Sequence, residues 1–246
     1  RKGERIYMNI GKTNPALTSG FKKAIQDGTT MTVTGTITKI VILLAVLSCG
    51  FIYSWLYIPY SSGIMMGVSI LTFVVALITS FAPKLAQYSS IIYAAFEGLF
   101  LGCISKLFNM MYPGIVLPAI LLTIVCVVVT LIVFGRNPSI ADRTRKGVMI
   151  ALITILATSF IGMILSFFGI TLPIYSNGII GIGFSLIVVA VATISLMQDY
   201  SFILRGAQFG EPKYMEWYAA FGLMVTLVWL YMEILQLIAK IVSSRD

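Results

Sequence analysis

The sequence predicts an all-α protein, a bundle of seven membrane-spanning helices, and three observations carry that prediction. Of its 246 residues, 59% are hydrophobic and only 11% are charged, whereas a soluble domain carries about 25% charged residues. Apolar runs recur along the chain, each near the ~20 residues needed to cross a bilayer. The segments between them are mostly short and rich in Pro or Gly, which makes neighbouring helices antiparallel.

Residues 1–33 are polar and basic: Arg1, Lys2, Arg5, Lys12, Lys22 and Lys23 are opposed only by Glu4 and Asp27. They hold no apolar run of signal-peptide length and read as a mobile cytoplasmic tail. Residues 34–246 read as one membrane domain. Its first span, Thr34–Leu56, ends at the separator YIPYSSG; the second, Gly63–Phe81, ends at APKLAQ. The third, Tyr88–Leu107, contains Glu97. The fourth, Pro113–Phe134, is followed by the basic segment FGRNPSIADRTRKG. The fifth, Val148–Phe168, leads through GITLPIYSNG to the sixth, Ile174–Phe202, and RGAQFGEPK precedes the seventh, Trp217–Val242.

Lysine and arginine set the orientation. Thirteen of them fall on the side of the tail, including Lys84, Arg136, Arg143, Arg145, Lys146, Arg205 and Lys213, against three (Lys106, Lys240 and Arg245) on the other side. Lys39, early in the first span, can snorkel to the tail side. The amino terminus is therefore expected in the cytoplasm and the carboxyl terminus outside. Trp55, Tyr57 and Tyr60 suit the outer interface, and Tyr214, Trp217 and Tyr218 the inner one.

Composition excludes several functions. The chain has no histidine, which removes Ser-His and Cys-His catalysis, the HExxH zinc site and His-ligated haem. Cys49, Cys103 and Cys126 lie within apolar runs and read as small buried hydrophobes. The net charge of +8 fits topology and lipid headgroups better than nucleic acid. The segment GIIGIGFS (Gly178 to Ser185) follows no strand and reads as helix packing, not a dinucleotide loop.

Three acids, Glu97, Asp199 and Glu233, lie inside or against apolar runs, where a charge costs at least ~2.5–3.5 kcal/mol. Asp199 and Glu233 sit on consecutive helices. A turn centred on residues 206–212 would put Glu233 much deeper than Asp199, whereas an interfacial Pro212–Tyr218 would let the two approach. If they meet, they share one proton, titrate in coupled steps and can supply oxygen ligands to Ca²⁺. The plainer alternatives are an inert hydrogen-bonded staple, or an Asp199 solvated at a helix end and paired to Arg205. Glu97 precedes Gly98 and Gly102, a GxxxG that permits close helix approach; Gly63 and Gly67 form a second such pair. With no basic residue nearby on its own span, Glu97 is expected to be protonated, hydrogen-bonded or cavity-lining.

MTVTGTITKIVILL (Met31–Leu44), EGLFLGCIS (Glu97–Ser105), LMQDYSFI (Leu196–Ile203) and PKYMEWYAAFGLMVTLVWLYMEILQL (Pro212–Leu237) resemble the Bax inhibitor-1-like, or transmembrane Bax inhibitor motif, family in its prokaryotic branch. The resemblance spans nearly all of residues 31–240. It implies six helices around a central seventh, and a pH-sensitive calcium leak; eukaryotic members are associated with cell-death suppression. It also implies an acid pair on helices six and seven, matched by Asp199 and by Glu233 in place of the usual Asp. Some members carry an acid and a base on helix two; this chain has neither there, and Glu97 and Lys84 are the nearest substitutes.

The resulting expectation is a bacterial inner-membrane protein without enzymatic activity or cofactor, passing Ca²⁺ when the acid pair loses its proton, along a path lined in part by Glu97. The alternative is a non-transporting regulator bound to a membrane partner such as a quality-control protease. An intramembrane aspartyl protease fits less well, because the glycine-x-glycine-Asp signature is missing.

Overall fold

A computed structural model of the chain describes residues 30–59, 62–170 and 172–244. Seven long helices account for nearly all of them: α1 (Val33–Tyr57), α2 (Ser62–Phe81), α3 (Ala86–Met111), α4 (Val116–Arg136), α5 (Ser139–Phe167), α6 (Ile179–Phe209) and α7 (Met215–Ser243). All seven are long and apolar enough to cross a membrane. Short 3₁₀ turns at Pro83–Leu85 and Pro173–Tyr175 join α2 to α3 and α5 to α6.

Helix limits follow local chemistry. The Thr32 hydroxyl caps α1 by accepting from the Gly35 amide at 2.9 Å. Ile58, before Pro59, is extended (φ −88°, ψ 121°) and ends that helix, as the residue before a proline tends to do. Helix α5 begins at Ser139, not at the expected Val148, and α6 runs on to Phe209. Hydropathy marks the depth of the apolar layer, and a helix continues past it wherever its backbone bonds do. Helix α6 stops at Gly210, whose φ of +67° suits a residue without Cβ, and the Glu211 amide closes the turn on the Gly206 carbonyl at 3.0 Å.

Helix α7 packs against α1, α3, α4 and α6, while α2 joins the bundle mainly through α3 and α5 mainly through α6. In α3 and α7, 44% of the apolar stretch is buried, against 11–33% in the others, so α7 shares the centre with α3. The outer faces stay apolar: Ile37, Phe73, Leu121, Leu156 and Ile187 are all exposed, as a lipid-facing surface requires. Intramembrane hydroxyls bond back to carbonyls one turn earlier, as Thr72, Thr79 and Thr193 do, which satisfies them where water cannot.

The GxxxG of α3 is a true contact. A Cβ on Gly98 would fall on the Leu47 carbonyl of α1, and one on Gly102 would lie 2.5 Å from the Phe51 carbonyl. Gly50 of α1 approaches from the other side, where a Cβ would lie 2.8 Å from the Ala95 carbonyl. Gly67, by contrast, faces open space, so the Gly63–Gly67 pair is not a close helix contact. Nor are the cysteines uniformly buried: Cys103 is, but Cys49 is exposed. Gly178–Ser185 is no loop, since Gly178 caps α6 and the rest is helical.

One polar knot was not anticipated. Glu216, in the first turn of α7, is completely buried. Its Oε2 accepts from Lys39 Nζ at 2.7 Å, and its Oε1 accepts from the Thr32 amide and hydroxyl, each at 2.9 Å. The Lys39 ammonium also lies 5.9 Å from the centre of the Trp217 ring. Lys39 therefore ends on a partner within the bundle. Gly35 leaves the space for the carboxylate, which a Cβ there would strike. Next to it, the Met31 amide donates to the Glu211 carbonyl at 2.7 Å, and Thr30 bridges Pro212. Met31 is buried and Thr30 half-buried, so these two residues are docked against the α6–α7 turn, while Thr32 and Val33 are exposed. The remainder of that expectation lies outside the described residues.

Two outcomes are expected from thermal unfolding in detergent. Gly98→Val should destabilise by at least ~1–3 kcal/mol because the α1 backbone blocks the added methyls, whereas Gly67→Val should stay within about 0.5 kcal/mol. Glu216→Gln should cost about 3 kcal/mol by leaving the Lys39 ammonium unpaired. Adding Lys39→Met to it should recover part of that loss, a non-additivity expected of residues in contact.

Candidate functional site

Helix α6 turns one narrow face to α7: Gly181, Ser185, Val188, Ala192, Ser195 and Ile203 are buried along it. Their spacing of three and four residues is one helical stripe, and Asp199 falls on it. Small residues in the stripe let the two helices approach closely. The Asp199 carboxylate thus enters the α6–α7 seam beside Thr226, whose hydroxyl donates to the Gly222 carbonyl at 3.3 Å. The Asp199 Oδ2 is buried and accepts no hydrogen bond from another protein group. A polar atom left so in an apolar interior costs ~1–3 kcal/mol, more if charged. It is a place where a proton, a water or a cation would be held.

Cavities flank Asp199 on two sides. One, of about 380 Å³, opens toward α2 and is lined by Ala76, Ser80, Phe202, Tyr218 and Gly222. The other, of about 310 Å³, opens toward α5 and is lined by Val148, Leu152, Ser195, Gln198, Thr226 and Trp229. Gly222 has nothing within 4 Å of where a Cβ would stand, so the missing side chain helps to keep the first cavity empty. Gln198 does not turn to Asp199: its amide donates to the Ala141 carbonyl at 2.7 Å and to the Thr144 hydroxyl at 3.0 Å.

Glu233 is elsewhere. Its Oε1 accepts from the indole N–H of Trp229 at 3.1 Å, two turns beyond Thr226, roughly 10 Å along α7. Farther on, Lys240 interacts electrostatically with Glu233 and donates to the Ser185 hydroxyl at 2.8 Å, the Gly181 carbonyl at 3.3 Å and the Ile174 carbonyl at 3.4 Å.

The expected Asp199–Glu233 pair is therefore not formed: Asp199 lies beside Thr226, and Glu233 accepts from Trp229. The reason is register. The tight turn at Gly210 starts α7 directly, so residues equidistant from the Pro212–Lys213 step face each other: Asp199 with Thr226, and Ser185 with Lys240. Among the described residues no group of three or more His, Cys, Asp or Glu side chains could hold a metal ion.

The other expected residues also find separate places. Glu97 is buried on α3 with Tyr93, one turn earlier, as its side-chain partner, and it lines neither Asp199 cavity. The Tyr93 ring meets Phe221 edge-on at 5.1 Å, which fixes that group between α3 and α7. Arg205 bonds to Asp142 of α5 at 3.2 Å instead of to Asp199. Lys84 is exposed in the turn before α3 and makes no ion pair with Glu97. The site residues that sequence reasoning passed over are Thr226, Trp229 and Gly222. Their only signal was position, each lying on the face of α7 that the turn directs toward α6.

The family model described as Bax inhibitor 1 like matches residues 14–243. No curated protein and no solved structure matches the chain significantly. A match over almost the whole length, on seven apolar helices, settles the relationship: the chain belongs to the Bax inhibitor 1 like family of membrane proteins.

Proposed function

We propose that this protein lets cations leak passively across a bacterial inner membrane, along the α6–α7 seam, with Asp199 as the ion-binding carboxylate and Ca²⁺ as the favoured ion. The reading is of a non-enzymatic protein with a cytoplasmic amino terminus. The observation that carries it is the buried, unpartnered Oδ2 of Asp199 between two cavities. Hard divalent cations take carboxylate and carbonyl oxygens, and an ion there would supply the missing partner.

Three features would then control passage. A proton on Asp199 competes with the cation, so flux rises with pH. Trp229 lines the α5-side cavity and holds Glu233 by its indole N–H, so it separates the two acids along the seam. At the far end the Lys240 ammonium occupies a cluster of three oxygens, a tethered cation where a free one would otherwise sit. This replaces a shared-proton switch by a single acid and a row of obstacles.

A second reading, a regulator bound to a membrane partner such as a quality-control protease, draws support from α2. That helix joins the bundle mainly through α3, so most of its lipid-facing side is open to a neighbouring membrane helix. A partner that co-purifies and is lost on deleting residues 1–30, with no ion flux, would favour it.

In liposomes containing purified protein, calcium flux should rise with pH. Asp199→Asn should flatten that profile, while Glu233→Gln should lower flux and leave the pH dependence in place. An Asp199→Asn profile identical to that of the unaltered protein would end the proposal. Trp229→Ala should raise flux at every pH if the indole is an obstacle.

A further inference from the structure

At the end of the bundle where α5 begins and α6 stops, a cavity of about 230 Å³ is lined by Met31, Arg145, Phe202, Arg205, Phe209 and Glu211. Its walls are of two kinds. Phe202 and Phe209 are large, apolar and exposed. Arg145 and Arg205 bring guanidinium groups, which recognise phosphate oxygens through paired N–H donors. Arg205 is held in place by Asp142 at 3.2 Å. The position is the edge of the apolar layer: α6 turns polar at Arg205, and α5 turns apolar only after Lys146.

The surroundings add charge of one sign. Arg136, Arg143 and Lys146 are exposed on the adjoining ends of α4 and α5. With Arg145 and Arg205 they make five cations, against the two carboxylates Asp142 and Glu211. A basic cleft with an apolar flank at a membrane boundary matches one molecule in both halves. We propose that it is a binding site for an anionic phospholipid, with the lipid phosphate on Arg145 and Arg205 and the upper acyl chain along Phe202 and Phe209. Basic pockets between membrane helices bind acidic headgroups by this chemistry. The site touches the docked N-terminal segment through Met31 and the α6–α7 turn through Glu211, so a bound lipid would brace the contact between them.

The experiment is native mass spectrometry of the full chain extracted from vesicles of equal phosphatidylglycerol and phosphatidylethanolamine. The protein should retain phosphatidylglycerol in preference. Arg145→Ala should reduce the retained fraction about fivefold, the effect of one basic residue near an acidic surface. Phe209→Ser should also reduce it. Arg143→Ala, a neighbouring charge outside the cavity lining, should not. Thermal unfolding without added lipid checks that each variant is folded, and Arg145 is exposed on a helix where alanine is tolerated. Equal loss in Arg143→Ala would mean a diffuse surface charge and overturn the site. Equal retention of phosphatidylethanolamine would assign the cavity, with its Glu211 rim, to a zwitterionic headgroup and overturn the anionic assignment. Displacement of the lipid by millimolar inorganic phosphate, with Phe209→Ser unchanged, would reduce it to a free-phosphate site.

Discussion

The Glu216 carboxylate has no access to solvent, and the end of the bundle where α7 begins is organised around it. A buried charge without partners would cost several kcal/mol. Lys39 and Thr32 supply those partners from α1, so the start of α7 is fixed to the start of α1 by bonds that cannot slide. The same carboxylate sits close to the first turn of α1, where unpaired amides favour a negative charge. Once these starts are joined, Met31 is drawn under the α6–α7 turn, and its amide finishes the pairing on Glu211.

That anchor determines the register of the α6–α7 seam. Helix α7 begins at a fixed point beside a tight turn, so its register against α6 follows from geometry alone. Asp199 meets Thr226, and Ser185 meets Lys240. On the other side, α3 is pressed onto α1 through Gly50, Gly98 and Gly102. Helices α1 and α3 form one closely packed half of the bundle against α7, and α6 forms the other wall. The cavities around Asp199 open where α2 and α5, the two peripheral helices, fail to fill the outer sides of that wall.

The polar groups inside the bundle differ in how fully they are satisfied. Glu216 has three donors, Glu233 an indole and a nearby ammonium, Glu97 a tyrosine. Asp199 keeps one oxygen that no protein donor reaches. In an apolar medium such an atom is a source of free energy for any species able to bind it. Glu216, at the end of the bundle, is fully satisfied and acts as structure, whereas Asp199 in the α6–α7 seam is the acid left with the fewest protein partners.

The sequence by itself determined the number of spans, their approximate limits and the scarcity of charge, and it offered two GxxxG pairs of which only Gly98–Gly102 is a close contact. These are readable because apolar length and small-residue spacing are local properties of a chain in a bilayer. It also identified Asp199 as an acid out of place. It did not reveal that Lys39 meets Glu216 across 177 positions, that Arg205 belongs to Asp142, or that Glu233 is out of reach of Asp199. Those facts depend on how far a turn advances the next helix and on which way each helix is rotated about its axis. A shift of one residue turns a helical side chain by about 100°, so only the tertiary structure could decide which buried polar groups meet.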